Sequence, residues 1–146
     1  MFMVKALNDI VITSFDINTM FRVVGEVKVY TRSGDYSGYE SVGMGWNLIY
    51  DNASLQMNGR GKPTKLDDVM AVSLSREQYQ SFYVCSEEKL VYKRGTQEGA
   101  PYVSDDNLVI YEGIGLPGLF GGLRRYSPRI WSGTIHYTMS SVGELV

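Results

Sequence analysis

The chain has 146 residues, a length that suits one domain with a real hydrophobic core. Its hydrophobic share of 44% and charged share of 21% are ordinary for a globular protein, and a net charge of −2 gives no overall attraction to nucleic acid or to an anionic membrane. The single cysteine, Cys85, excludes an intramolecular disulfide framework, and no apolar run approaches the roughly 20 residues needed to span a bilayer.

Eleven tyrosines and 16 glycines against only 4 prolines favour strands joined by turns over a helical bundle. Residues 1–9 carry no basic leader or sustained apolar stretch, so no signal peptide is expected there. Folding in the cytoplasm is the matching expectation, since nothing demands an oxidising compartment. The sequon Asn52-Ala53-Ser54 then reads as coincidence.

In chain order, Phe2-Met3-Val4 predicts a short strand and Ile10 to Phe15 a longer one, with Asp16-Ile17-Asn18-Thr19 as a turn. From Phe21 to Tyr30 the pattern alternates, with Val23, Gly25, Val27 and Val29 on one face and Arg22, Glu26, Lys28 and Tyr30 on the other. A polar loop follows over 31–39, carrying Tyr36 and Tyr39. Val42, Met44, Trp46, Leu48 and Tyr50 then recur at period two, opposite Gly43 and Gly45, and the strand is expected to end at Asp51-Asn52. Leu55-Gln56-Met57 reads as a short strand before the Asn58-Gly59 turn.

Residues 69–74 predict another strand, and Ser75-Arg76-Glu77-Gln78 resembles a helix capping box that allows one helical turn. Phe82 to Cys85 and Lys89 to Lys93 read as two strands, with a loop over 94–101. After Leu108-Val109-Ile110-Tyr111 comes a glycine-rich loop over 113–129, and Ile130 to Met139 is one long alternating strand. About eight short strands without sustained helical periodicity predict an all-β fold. The expected form is a single antiparallel β-sandwich over 1–146, jelly-roll-like, with a long Gly/Arg-rich loop.

Candidate chemistry is sparse. Gly113-Ile114-Gly115-Leu116-Pro117-Gly118 matches the dinucleotide fingerprint in letters, but Gly121 and Gly122 break the helix that the motif requires. The only histidine, His136, has no orienting acid that sequence can place, so it reads as a surface or interface residue. One His and one Cys exclude the usual multi-ligand zinc site, and the pairs Asp67-Asp68, Glu87-Glu88 and Asp105-Asp106 read as solvated turns. No cofactor or metal is expected.

The long loop has more substance. Leu116, Leu119, Phe120, Arg124, Arg125, Tyr126, Arg129 and Trp131 combine apolar, basic and aromatic groups, with no acidic residue from 114 to 131. They suit an assembly arm, a flap folded back onto the core, or a ligand site. The expected function is a non-enzymatic structural or interaction subunit forming a homo-oligomer or joining other protein subunits, with a virion or surface assembly as one setting. The alternative is a lectin-like module that binds a glycan through Tyr36, Tyr39, Tyr126 and Trp131.

Overall fold

The computed structural model of the protein describes residues 1–121 and 125–140. Among them the chain forms thirteen strands and no helix. In order these are β1 (Phe2–Ala6), β2 (Ile10–Ile17), β3 (Arg22–Ser33), β4 (Asn47–Asn58), β5 (Thr64–Leu66), β6 (Val72–Leu74) and β7 (Tyr79–Ser86). The second half adds β8 (Tyr92–Arg94), β9 (Pro101–Ser104), β10 (Leu108–Tyr111), β11 (Gly113–Gly115), β12 (Tyr126–Trp131) and β13 (Gly133–Met139).

The strands make three antiparallel sheets in an all-β sandwich. The largest runs β4-β3-β7-β1-β10-β9, the second β13-β2-β5 with β6 also on β2, and the third β11-β12-β8. Alternation decides which face each residue takes. Phe2, Val4 and Ala6 of β1, Val27 and Val29 of β3, and Phe82 and Val84 of β7 point into the main core, where they meet Ile10, Ile12, Phe15 and Ile17 of β2. The intervening Tyr30, Tyr83 and Cys85 point the other way, into a second cluster with Met1, Tyr36, Trp46 and Ile114. The large sheet is therefore covered on both faces, which is why Phe82-Tyr83-Val84-Cys85 reads as a continuous apolar run.

Several strands differ from the sequence expectation, for local reasons. β2 runs on through Asp16 and Ile17, which pair with Lys65 and Thr64 of β5. The period-two pattern over 42–46 folds as turns, with Gly45 at a φ of 91°. β4 instead continues without a break past Asp51 and Asn52, because shifts in register at Gly25/Val27 and Val29/Tyr30 absorb the irregularity. The capping box at Ser75 forms its reach-back contact, from the Ser75 N–H to Gln78 Oε1 at 3.0 Å, yet Glu77 at a φ of 72° stops any helix. Short β5 and β9 escaped the sequence pattern, and β8 joins β12 while β7 lies in the large sheet.

The expected strand from Ile130 to Met139 breaks at Ser132 into β12 and β13, which belong to different sheets. Gly133 is obligatory at this corner, since a Cβ there would lie 2.3 Å from the Trp131 ring and 2.5 Å from Asp16 O. A second constrained corner surrounds the buried Glu112. Its carboxylate accepts hydrogen bonds from Thr96 N (2.6 Å), Thr96 Oγ1 (3.0 Å) and Gln97 N (3.2 Å). A Cβ on Gly95 would lie 1.8 Å from Glu112 Oε1, so the 95–97 loop can close on the carboxylate only with glycine there.

Candidate functional site

Of the residues expected to carry function, Tyr36, Leu116 and Phe120 pack on the outer face of β3 and β7, whereas Trp131 packs against the main core. Gly113 and Gly115 of the dinucleotide-like motif lie in β11, opposite Arg129 and Tyr126 of β12. Gly113 lets the chain start approach: Met1 O accepts from Ile114 N, the Met1 amino group donates to Ile114 O at 2.8 Å, and a Cβ at 113 would lie 1.9 Å from Met1 O. Burial lowers the pKa of that amino group to about 5. Gly113 serves close backbone packing, whereas a Cβ at Gly115 would meet Arg129 at an ordinary 3.8 Å.

From β11 the chain folds back over the large sheet. Leu116 and Phe120 pack on the second cluster, and the Phe120 ring meets Tyr30 and Tyr83 edge-on, each at 5.1 Å between centroids. Tyr83 Oη donates to Gly118 O at 3.1 Å and accepts from Phe120 N at 3.2 Å. Phe120 adopts a left-handed φ of 50°, a conformation its buried ring contacts hold in place. The 116–121 segment is thus a flap closed on its own sheet. Leu119 escapes this packing and remains 57% exposed.

The loop from 36 to 46 lies beside the flap. Gly43 places its Cα hydrogen toward Phe120, where a Cβ would sit 3.5 Å from the ring, and Trp46 joins the same aromatic cluster. Trp46 Nε1 donates to Tyr39 O at 3.0 Å. On either side of Gly43, Val42 is 45% exposed and Met44 83% exposed. An ordered aromatic base therefore holds three apolar side chains, Val42, Met44 and Leu119, in water.

The expected recognition tyrosines part company. Tyr36, expected at an exposed loop tip, is buried in the second cluster and donates to Glu98 Oε2 at 3.1 Å; burial and the Glu98 charge push its phenol pKa up. Its partner lies 62 residues away, so the loop's local polarity gave no sign of it. Tyr39 stays exposed, with the Arg32 guanidinium 3.3 Å above its ring centroid.

The basic residues are likewise engaged within the fold. Arg125 reaches Glu40 Oε2 at 3.1 Å and Glu98 Oε1 at 3.6 Å, and Ser127 Oγ donates to Glu98 Oε1 at 2.6 Å. Arg129 lies between the Tyr92 and Tyr126 rings, 5.1 and 5.6 Å from their centroids. Arg124 lies outside the described residues. Trp131, a stacking platform in the glycan alternative, is partly buried against the main core: it stacks on Phe2 at 4.6 Å and meets Phe15 edge-on at 6.2 Å. Two of the four aromatic residues proposed for a glycan platform thus point inward.

Comparison with known protein families found no match, and comparisons with curated proteins and with solved structures found none either. Among the described residues no group of three or more His, Cys, Asp and Glu could hold a metal ion, and no helix is long and apolar enough to cross a membrane. Sequence reading missed Val42 and Met44 as surface groups, because period-two spacing assigned them to a strand. It missed Glu40 and Glu98 because isolated acids in loops carry no pattern.

Proposed function

We propose that the protein is a non-enzymatic structural or interaction subunit that associates with its own copies through the face bearing Val42, Met44 and Leu119. The observation that carries this reading is that the three side chains are exposed on loops already fixed by the Tyr30, Trp46, Tyr83 and Phe120 cluster. An apolar patch on an ordered base loses little conformational entropy on docking, and patches of this kind mark association surfaces. The rim carries both charge signs, in Arg32, Glu40, Glu98 and Arg125. Such a rim meets its own copy across a two-fold axis without uniform repulsion. A virion or other surface assembly is the setting this role fits by fold-level analogy.

Light scattering over a range of protein concentrations tests the reading. A discrete oligomer is expected, returned to monomers by the double substitution Met44→Lys and Leu119→Lys. Both positions are exposed, so the variant keeps its fold, whereas deleting the flap would uncover the aromatic cluster. A monomer at every concentration, or an oligomer indifferent to the substitutions, would overturn it.

A further inference from the structure

One side of the sandwich stays open, because its two main sheets end at different places. β13 is an outer strand: β2 pairs with one of its edges, and among the described residues nothing pairs with the other. The hydrogen bonds fix which backbone groups face outward. Ser140 N donates to Asp9 O at 3.0 Å and Thr13 Oγ1 to His136 O at 3.2 Å, so the even-numbered residues turn their N–H and C=O toward β2. Alternation then turns those of Ile135, Tyr137 and Met139 away from it. The register shift at His136/Tyr137 leaves this order intact, because the extra residue, Thr13, lies in β2.

β9 runs alongside this free edge. At one end Tyr102 lines a small cleft with Gly133, and at the other Tyr137 Oη donates to Asp105 Oδ2, just past β9. Val103 pairs with Ile110 and so shares the face that Ile110 turns to the main core. It is nevertheless 49% exposed, and Tyr102 is 44% exposed. The large sheet therefore projects past β13 by one strand, and among the described residues no strand of the second sheet covers Val103.

Unpaired edges are ordinarily protected by charge or proline. β9 opens with Pro101 and β8 carries Lys93 and Arg94, but β13 holds no Asp, Glu, Lys, Arg or Pro. A row of outward N–H and C=O groups beside an apolar strip is matched by the backbone of an extended polypeptide. Charge sets its direction. Lys93 lies at the Gly133 end, in the cleft with Tyr102, and the exposed Asp105 and Asp106 lie at the Tyr137 end. A strand antiparallel to β13 starts at the acidic end and finishes at Lys93. A second copy cannot supply its own β13 here, because the projecting β9 of each copy would meet the other.

We infer that this open side binds an extended segment of a partner protein as an added strand antiparallel to β13. The segment carries a basic residue at its start, an acidic residue at its end, and alternate β-branched apolar side chains laid on Tyr102 and Val103. None of these residues belongs to the association face of Val42, Met44 and Leu119, and the test reads peptide binding, not oligomeric state.

The experiment is amide NMR with hydrogen exchange on the isotope-labelled protein, titrated with the synthetic peptide Lys-Thr-Val-Thr-Val-Thr-Glu. Without peptide, the Ile135 and Tyr137 amides are expected to exchange quickly and the His136 and Thr138 amides slowly. The peptide should shift Val103, Ile135 and Tyr137 saturably, with a Kd of about 1 mM or below, and slow exchange at Ile135 and Tyr137 by about tenfold or more. Two control peptides, one with its charged ends exchanged and one with proline for its central threonine, should bind about tenfold more weakly. Val103→Lys, at an exposed position, should leave the urea midpoint in place and weaken binding by a similar factor. The inference is overturned if the peptide moves none of these signals, or if the controls or the variant bind as tightly as the original pair. It is equally overturned if Ile135 and Tyr137 are already protected without peptide, which would mean that the chain itself or a second copy covers the edge.

Discussion

Tyr83 holds Phe120 twice, by an edge-on ring contact at 5.1 Å and by accepting the Phe120 N–H at its phenolic oxygen, 3.2 Å away. The same hydroxyl donates to Gly118 O, so one side chain of β7 fastens both ends of the flap's turn. Tyr83→Phe keeps the ring contact and removes both hydrogen bonds. A loss of about 1 to 3 kcal/mol is expected in urea unfolding, together with faster amide hydrogen exchange at Phe120. Unchanged exchange would mean that ring packing alone closes the flap.

Trp131→Ala removes a ring stacked on Phe2 and set edge-on to Phe15. A destabilisation of about 3 kcal/mol or more should follow, read from the urea midpoint. A surface platform of the kind a glycan would need would have lost far less.

Glu112→Gln tests the buried carboxylate. Its Oε1 accepts the N–H groups of both Thr96 and Gln97; glutamine can keep an oxygen there and turn its amide to Thr96 Oγ1, but the acceptor loses its charge. The expected cost is about 2 to 3 kcal/mol, with the 95–100 loop becoming the first site of proteolysis. Gly95→Ala should act on the same loop through its clash with Glu112 Oε1.

Burial pushes the Cys85 thiol pKa up from 9.0 to about 12. A folded value above the unfolded one means this group's contribution to stability is whole below pH 9 and is lost as pH rises toward 12. At mildly alkaline pH the native thiolate is then roughly a thousandfold scarcer than in the unfolded chain. Iodoacetamide should label Cys85 rapidly in urea and very slowly without it; equal rates would place the thiol in open solvent.

Much of the sandwich was legible from alternation. Val27 and Val29 against Lys28 and Tyr30, and the unbroken run from Phe82 to Cys85, assign faces without any coordinates. The strand count fell short because β11 is Gly113-Ile114-Gly115, where glycine erases the pattern, and because β9 is exposed along its whole length. The split at Ser132 was invisible since Trp131 and Ile135 are both apolar, and only the crowding at Gly133 separates their strands. The apolar and basic content of the long loop was readable, but its direction was not. Whether Phe120 faces a neighbour or its own sheet depends on Tyr30 and Tyr83, far away in sequence.

The first strands of this sandwich find their partners far along the chain, and the last partner of β2 is the last strand. β2 finds its register with β13, Ile10 against Met139 and Ile17 against Gly133, and β1 with β10, Val4 against Ile110. Pairings between such distant residues make for slow folding, on the order of milliseconds to seconds even for a complete chain. On the ribosome the delay is longer: at typical elongation speeds the segment holding β1 and β2 is exposed for on the order of ten seconds before β13 emerges. Until then β2 has only the short β5 and β6 beside it, so chaperone demand during synthesis should fall on the segment bearing Ile10, Ile12 and Phe15.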